Sequence, residues 1–161
     1  MKIGVISDTH DNLTRVRVAV RLFNDAGCDL VIHAGDFVAP FAAEELCNLR
    51  APVKAVYGNC DGEKAGLAKV FQGLGEIRDA PLKFSHAGLR FLVCHLDTPV
   101  GRHVASKACD IIVYGHTHRP LVESRGGVLL INPGEACGWL RGKGTVALLD
   151  PAARTAEIIT L

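Results

Sequence analysis

The chain has 161 residues, 18 Lys and Arg against 17 Asp and Glu, and a formal net charge of +1; 48% of its residues are hydrophobic and 22% charged. That balance is ordinary for a globular chain, one domain (1–161) is expected at this length, and about 70% of its unfolded surface can be buried without staples. The near-zero charge gives no support for a nucleic-acid or membrane-surface patch, and no run approaches the roughly 18–20 apolar residues of a membrane span.

The first strand is expected over residues 2–7 (KIGVIS), a short apolar run that leads straight into Ser7, Asp8, Thr9 and His10. A secretory signal would stay apolar for longer, so a cytoplasmic protein is expected. Asn12 can cap a helix over about 13–26, in which Val16, Ala19, Val20 and Phe23 recur on one face and Gly27 follows as a stop. A second strand is expected over 29–34, ending at Gly35-Asp36, then a helix from Pro40 to about Leu49. A third strand, 53–57, ends at Gly58-Asn59-Cys60-Asp61 and precedes a short helix near 63–72. Residues 81–85 and 89–95 read as a hairpin around His86-Ala87-Gly88, followed by a helix near 98–108. A strand over 110–115 ends at His116-Thr117-His118. Strand-like runs at 121–124, 127–132, 144–149 and 156–160 complete the chain. Strand–helix alternation followed by meanders predicts an α/β chain with more than one sheet.

Polar, metal-competent residues fall just past the ends of successive strands: Asp8 and His10, Asp36, Asn59, His95, then His116 and His118. Ligands of open α/β sheets gather at the carboxyl ends of strands, so these groups can converge. Seven N and O donors are too many for one four-coordinate zinc and suit two cations sharing a carboxylate. Carboxylate, imidazole and carboxamide donors suit Mn, Fe, Zn or Ni better than soft copper, and two divalent ions, Mn first among them, are expected. A phosphate ester, monoester or diester, is the natural substrate of such a pair, because its oxygens can bind both ions.

Asp8-Thr9-His10, Gly35-Asp36, Gly58-Asn59-Cys60-Asp61, His95 and Gly115-His116-Thr117-His118 resemble the ordered motif set of calcineurin-like metallophosphoesterases. The short length, Gly-Asn-Cys-Asp and Asn132-Pro133-Gly134 are most similar to the small bacterial and archaeal phosphodiesterases of that superfamily. The resemblance spans nearly the whole chain. It implies a four-layer α/β/β/α sandwich of two mixed β-sheets flanked by helices. It also implies a metal site in which Asp8, His10 and His118 hold one ion, Asn59, His95 and His116 the other, and Asp36 bridges them. The nucleophile would be hydroxide activated by the metal pair. A homo-oligomer is in keeping with the subgroup. The alternative is a scaffold of the same fold that acts through protein contacts.

The chain departs from the family at three places. Cys60, the candidate catalytic residue, stands where many members have a histidine that binds substrate or protonates the leaving group; an ordinary thiol, with pKa about 8.5, is a poorer acid. Asp97 stands where the subgroup often reads histidine, and is either a rim carboxylate or solvated. Glu135 follows Asn132-Pro133-Gly134 where Ser or Thr is common, which would make the mouth more acidic. The other cysteines are expected to be reduced packing residues, and no C-x-x-C pair occurs. His33 reads as core or as a support for the ligands, Asp61 as a turn or supporting carboxylate, and Trp139 as a substrate-stacking, core or interface aromatic. Neither G-x-G-x-x-G nor a P-loop is present, which argues against a nucleotide-binding module.

Overall fold

A computed structural model describes all 161 residues. In chain order its first half comprises β1 (Ile3–Ile6), α1 (Leu13–Asp25), β2 (Leu30–His33), α2 (Pro40–Ala43), β3 (Val53–Val56), α3 (Lys64–Phe71) and β4 (Gly75–Arg78). The second half comprises β5 (Leu82–His86), β6 (Leu89–Val93), α4 (Val100–Ser106), β7 (Ile111–Val113), β8 (Leu121–Arg125), β9 (Val128–Asn132), β10 (Thr145–Asp150) and β11 (Thr155–Thr160). Six strands form one sheet in the order β11-β10-β1-β2-β3-β4, and five form a second in the order β5-β6-β7-β9-β8. Both sheets are mixed: β1 to β4 run parallel with β10 antiparallel to β1, and β7 pairs parallel with β6 and β9.

Alternation of side chains along the strands divides the core into layers. Val31 and Val53 join Val16, Val20 and Phe23 of α1 and Leu67 of α3 in a cluster on the helix-covered face of the first sheet. Their neighbours Ile32 and Val56 point the other way, into a cluster with Phe91, Val93, Ile111 and Ile131 of the second sheet. Val100 and Val104 of α4 cover the outer face of that sheet against Leu92, Ile112 and Leu130. The result is the expected α/β/β/α sandwich.

Local chemistry explains most boundaries. The Asn12 side chain accepts from the Arg15 N–H at 3.2 Å, and the four expected residues of α1 are buried. The helix expected from Pro40 to Leu49 instead gives one α turn and then a 3-10 helix over Glu44–Asn48. The strand β4 was not expected. It is an edge strand pairing with β3, and its sequence Gly-Glu-Ile-Arg carries no apolar alternation because neither face is deeply buried. No helix is long and apolar enough to cross a membrane.

Candidate metal centre

Parallel βα units aim the ends of β1, β2 and β3 at one edge of the first sheet, and the ends of β6 and β7 meet them from the second. Backbone bonds stitch these loops together: Asp8 N–H donates to the Gly35 carbonyl at 3.0 Å, and Gly115 N–H to the His95 carbonyl at 3.0 Å. Gly58 and Gly115 make that approach possible. A Cβ on Gly58 would lie 2.1 Å from Asp36 Oδ1, and one on Gly115 would lie 2.1 Å from Ser7 Oγ. Asp8, His10, Asp36, His116 and His118 all have positive φ, between 36° and 66°. Such backbone costs roughly 1–3 kcal/mol per residue and persists only where the surroundings enforce it, typically at a working site.

Asp61 provides much of that enforcement. Its buried carboxylate accepts four backbone N–H groups, from Asp36 (3.0 Å), Phe37 (2.7 Å), Val38 (2.8 Å) and Gly58 (2.7 Å). It therefore clamps the loop after β2 to the loop after β3. His33 is fully buried and stacks on Phe37. Its Nδ1 accepts from Gly35 N–H at 3.1 Å, which leaves the proton on Nε2, 3.3 Å from Thr9 Oγ1. Burial holds its pKa well below the ordinary histidine range. His33 is thus a neutral brace, as expected from the sequence.

Of the four sets of donor atoms that the loops bring within 4.8 Å of one another, two are made of Asp and His alone: Asp8, His10 and His118, and Asp8, Asp36 and His95. His118 Nδ1–H donates to Glu135 Oε2 at 2.7 Å, so its Nε2 presents a lone pair to Asp8 Oδ1 at 3.3 Å. His95 Nδ1–H donates to the Ala34 carbonyl at 2.8 Å. Its Nε2 then faces Asp36 Oδ2 at 3.3 Å and Asn59 Oδ1 at 2.9 Å. His10 Nε2 lies 3.5 Å from Asp36 Oδ2 and 3.8 Å from Asp8 Oδ1. At His118 and His95, whose Nδ1 protons are already committed, acceptor faces acceptor. Asp8 Oδ1 and His10 Nε2 are buried without any hydrogen-bond partner.

Only a proton or a cation relieves such a cluster. Contact with Asp8 raises the pKa of His10 despite burial, and burial lowers His95 while Asp36 more than reverses it. Burial would raise Asp36, but His95 and the Cys60 N–H hold it far below the usual carboxylate range. A divalent cation supplies the same positive charge and is bound by deprotonated donors. The residues present therefore fit metal.

His116 is less tightly gathered. It is exposed at the open edge, its ring 5.2 Å from that of His95, and it joins no set of three donors within 4.8 Å; its backbone N–H donates to Asp8 Oδ2 at 3.2 Å. Asn59 is also exposed. Cys60 comes within 4.8 Å of His10 and Asp36 donors, its N–H donates to Asp36 Oδ1 at 2.8 Å, and burial together with Asp36 pushes its thiol up to about 11. All six cysteines are free, three of them buried. Asp97 is exposed and its side chain is not part of the donor clusters. Trp139 is 64% exposed, with its Nε1–H donating to the His10 carbonyl at 3.2 Å, so it borders the mouth rather than the core.

Glu135 is the residue that sequence reasoning misplaced. It does not make the mouth acidic: it is 1% exposed and turned inward. It accepts the hydrogen bond from His118 Nδ1–H described above, and others from the N–H groups of Leu140 and Arg141 and from the Cys137 thiol. These donors outweigh burial, which alone would raise it, and hold it below the usual glutamate range. Its signal in the sequence was the glutamate in place of Ser or Thr.

Residues 1–154 match the model of the calcineurin-like phosphoesterase superfamily domain. The chain belongs to this superfamily. It is 39% identical to a phosphodiesterase of Methanocaldococcus jannaschii over 170 positions, covering 100% of this chain and 99% of that protein. It is 30% identical to the phosphodiesterase YfcE of Escherichia coli over 147 positions, covering 83% of this chain and 78% of that one. A solved structure of an archaeal phosphodiesterase superposes with a TM-score of 0.96 at 38% identity, covering 100% of both chains. As a superfamily member the chain is a metal-dependent phosphoesterase, a hydrolase of phosphoric esters that uses divalent cations, and the scaffold alternative is not favoured.

Proposed function

We propose that this chain hydrolyses phosphodiesters at a dinuclear centre in which Asp8, His10 and His118 hold one cation, Asn59, His95 and His116 hold the other, and Asp36 lies between them. The observation that carries this reading is the set of opposed acceptors around Asp8 and Asp36, with two buried atoms left without partners. The mixed carboxylate, imidazole and carboxamide donors suit Mn, Fe, Zn or Ni better than soft copper, and Mn is the ion proposed. When bound, the two cations supply Lewis-acid polarisation of the phosphoryl oxygens and a lowered pKa for water. The chain's own residues orient the reactants: Glu135 and the Ala34 carbonyl fix the tautomers of His118 and His95, and Asp61 fixes Asp36. Cys60 stands at the rim as a neutral thiol, a weak proton donor whose place suits substrates with good leaving groups. A cavity of about 420 Å³ opens beside Asn59 and His95, walled by Tyr57, Pro81, Leu96 and Pro99, and suits an apolar leaving group. The free cysteines accord with a cytoplasmic location.

The test is direct. Purified protein reconstituted with Mn is expected to cleave bis(p-nitrophenyl) phosphate, to bind two equivalents of metal, and to lose activity on chelation with recovery on metal return. Cleavage that survives complete metal removal would overturn the proposal. Replacing Glu135 with Gln is expected to weaken metal binding by about 10–100-fold in a competition titration, because the partner that fixes the His118 ring loses its charge. Unchanged affinity would mean that Glu135 serves only the loop it holds.

A further inference from the structure

The donor cluster stands between two unlike cavities. Beyond Asn59 and His95 lies the apolar cavity described above. Beyond His118 a cavity of about 300 Å³ is walled by Arg119, Arg141 and Lys143. Arg119 and Arg141 also line a neighbouring cavity of about 500 Å³ with Tyr114 and Thr117. All three cations are exposed and none has an acidic partner. The lack of a partner does not by itself set them apart: of the 18 Lys and Arg, seven are paired with a carboxylate and eight others are not; what distinguishes these three is that they line one cavity beside His118.

The backbone holds Arg119 and Arg141 beside the donors. Arg119 directly follows His118. The Arg141 backbone N–H is held by Glu135, the same carboxylate that holds the His118 ring. Glu135 is spent on these donors and faces inward, so it does not neutralise the cationic wall. The charge balance points the same way. Two divalent cations would bring about four positive charges against the carboxylates of Asp8, Asp36 and Glu135. The activated hydroxide and one diester phosphate would together leave about one negative charge, so the three side-chain cations still carry about two positive charges without a counter-charge. Two arginines and a lysine in the lining of one cavity concentrate positive field there, and their side chains can offer forked donors to phosphate or carboxylate oxygens.

We propose that Arg119, Arg141 and Lys143 form an anion subsite, and that the substrate is an asymmetric phosphodiester with a second anionic group on one arm and an apolar group on the other. This rests on the phosphodiesterase reading of the adjacent centre. The anion is a phosphate or a carboxylate, and the test separates the two.

The experiment uses four diesters that all release p-nitrophenol and differ only in the retained arm: ethyl, choline, 2-carboxyethyl and 2-phosphoethyl. The expected result is a kcat/KM for at least one anionic arm about tenfold or more above that for ethyl, carried mainly by KM, with choline poorest. Raising the salt should shrink the difference. In the triple variant Arg119→Gln, Arg141→Gln, Lys143→Gln, the ratio of anionic to ethyl substrate should collapse toward one. An absent preference in the wild type, or one that persists in the triple variant, overturns the subsite. If no diester is cleaved at all, the phosphodiesterase reading fails, and the subsite is then judged by calorimetric binding of inorganic pyrophosphate. There the triple variant should bind about tenfold more weakly, and equal binding overturns it.

Discussion

Replacing Asp36 with Asn should lower kcat/KM for bis(p-nitrophenyl) phosphate by about a thousandfold or more, while the protein stays folded. The fold is expected to survive because Asn keeps an acceptor for the Cys60 N–H, which lies 2.8 Å from Asp36 Oδ1. Its amide nitrogen can donate to His95 or His10 Nε2, now 3.3 and 3.5 Å from Oδ2. The substitution relieves the crowding of acceptors and removes the negative charge that would lie between the cations. Two readouts should therefore move in different ways. The melting temperature of the metal-free variant should stay level or rise. The stabilisation conferred by added Mn, which follows RT ln(1 + [L]/Kd), should shrink along with turnover. Near-wild-type turnover in this variant would sink the dinuclear arrangement, whatever the metal.

The second large effect is expected at a residue that touches neither cation nor substrate. Asp61→Ala leaves the N–H groups of Asp36, Phe37, Val38 and Gly58 without their acceptor. Each buried, unpaired donor costs about 1–3 kcal/mol, and partial access of water to the loop brings the total to about 3–5 kcal/mol. In a chain of this size that corresponds to a fall in melting temperature of about 10 °C or more. Asp61→Asn should recover only part of the loss, because its NH2 group would meet N–H donors. Metal affinity should drop in both variants, since Asp36 has a left-handed φ of 61° and its N–H is one of those the clamp holds. Hydrogen exchange at the Phe37 and Val38 amides gives a direct reading. A melting temperature within 2–4 °C of wild type, roughly 1 kcal/mol here, would show that other contacts hold these loops.

Much of the site could be read along the chain because each donor follows a short apolar strand and sits beside a small residue. Asp8-Thr9-His10, Gly35-Asp36 and His116-Thr117-His118 are local patterns: strand, sharp turn, donor. The helix α1 was equally legible, since its cap and its buried face lie within one window. The strand β4 was not. An edge strand without a buried face has no period-2 signal, and its existence depends on β3 offering a free edge.

The sequence by itself determined that metal-competent side chains recur at strand ends, because donor type and strand-turn pattern are local properties. Only the tertiary structure decided how they work. It turned Glu135 from a supposed rim acid into the buried partner of His118, a contact across 17 positions. It made Asp61 a clamp on a loop 23 to 25 positions away. It also left His116 at the open edge and gathered Arg119, Arg141 and Lys143 beside the donors. Such facts depend on which loops meet when two sheets pack face to face, and no spacing along the chain encodes that meeting.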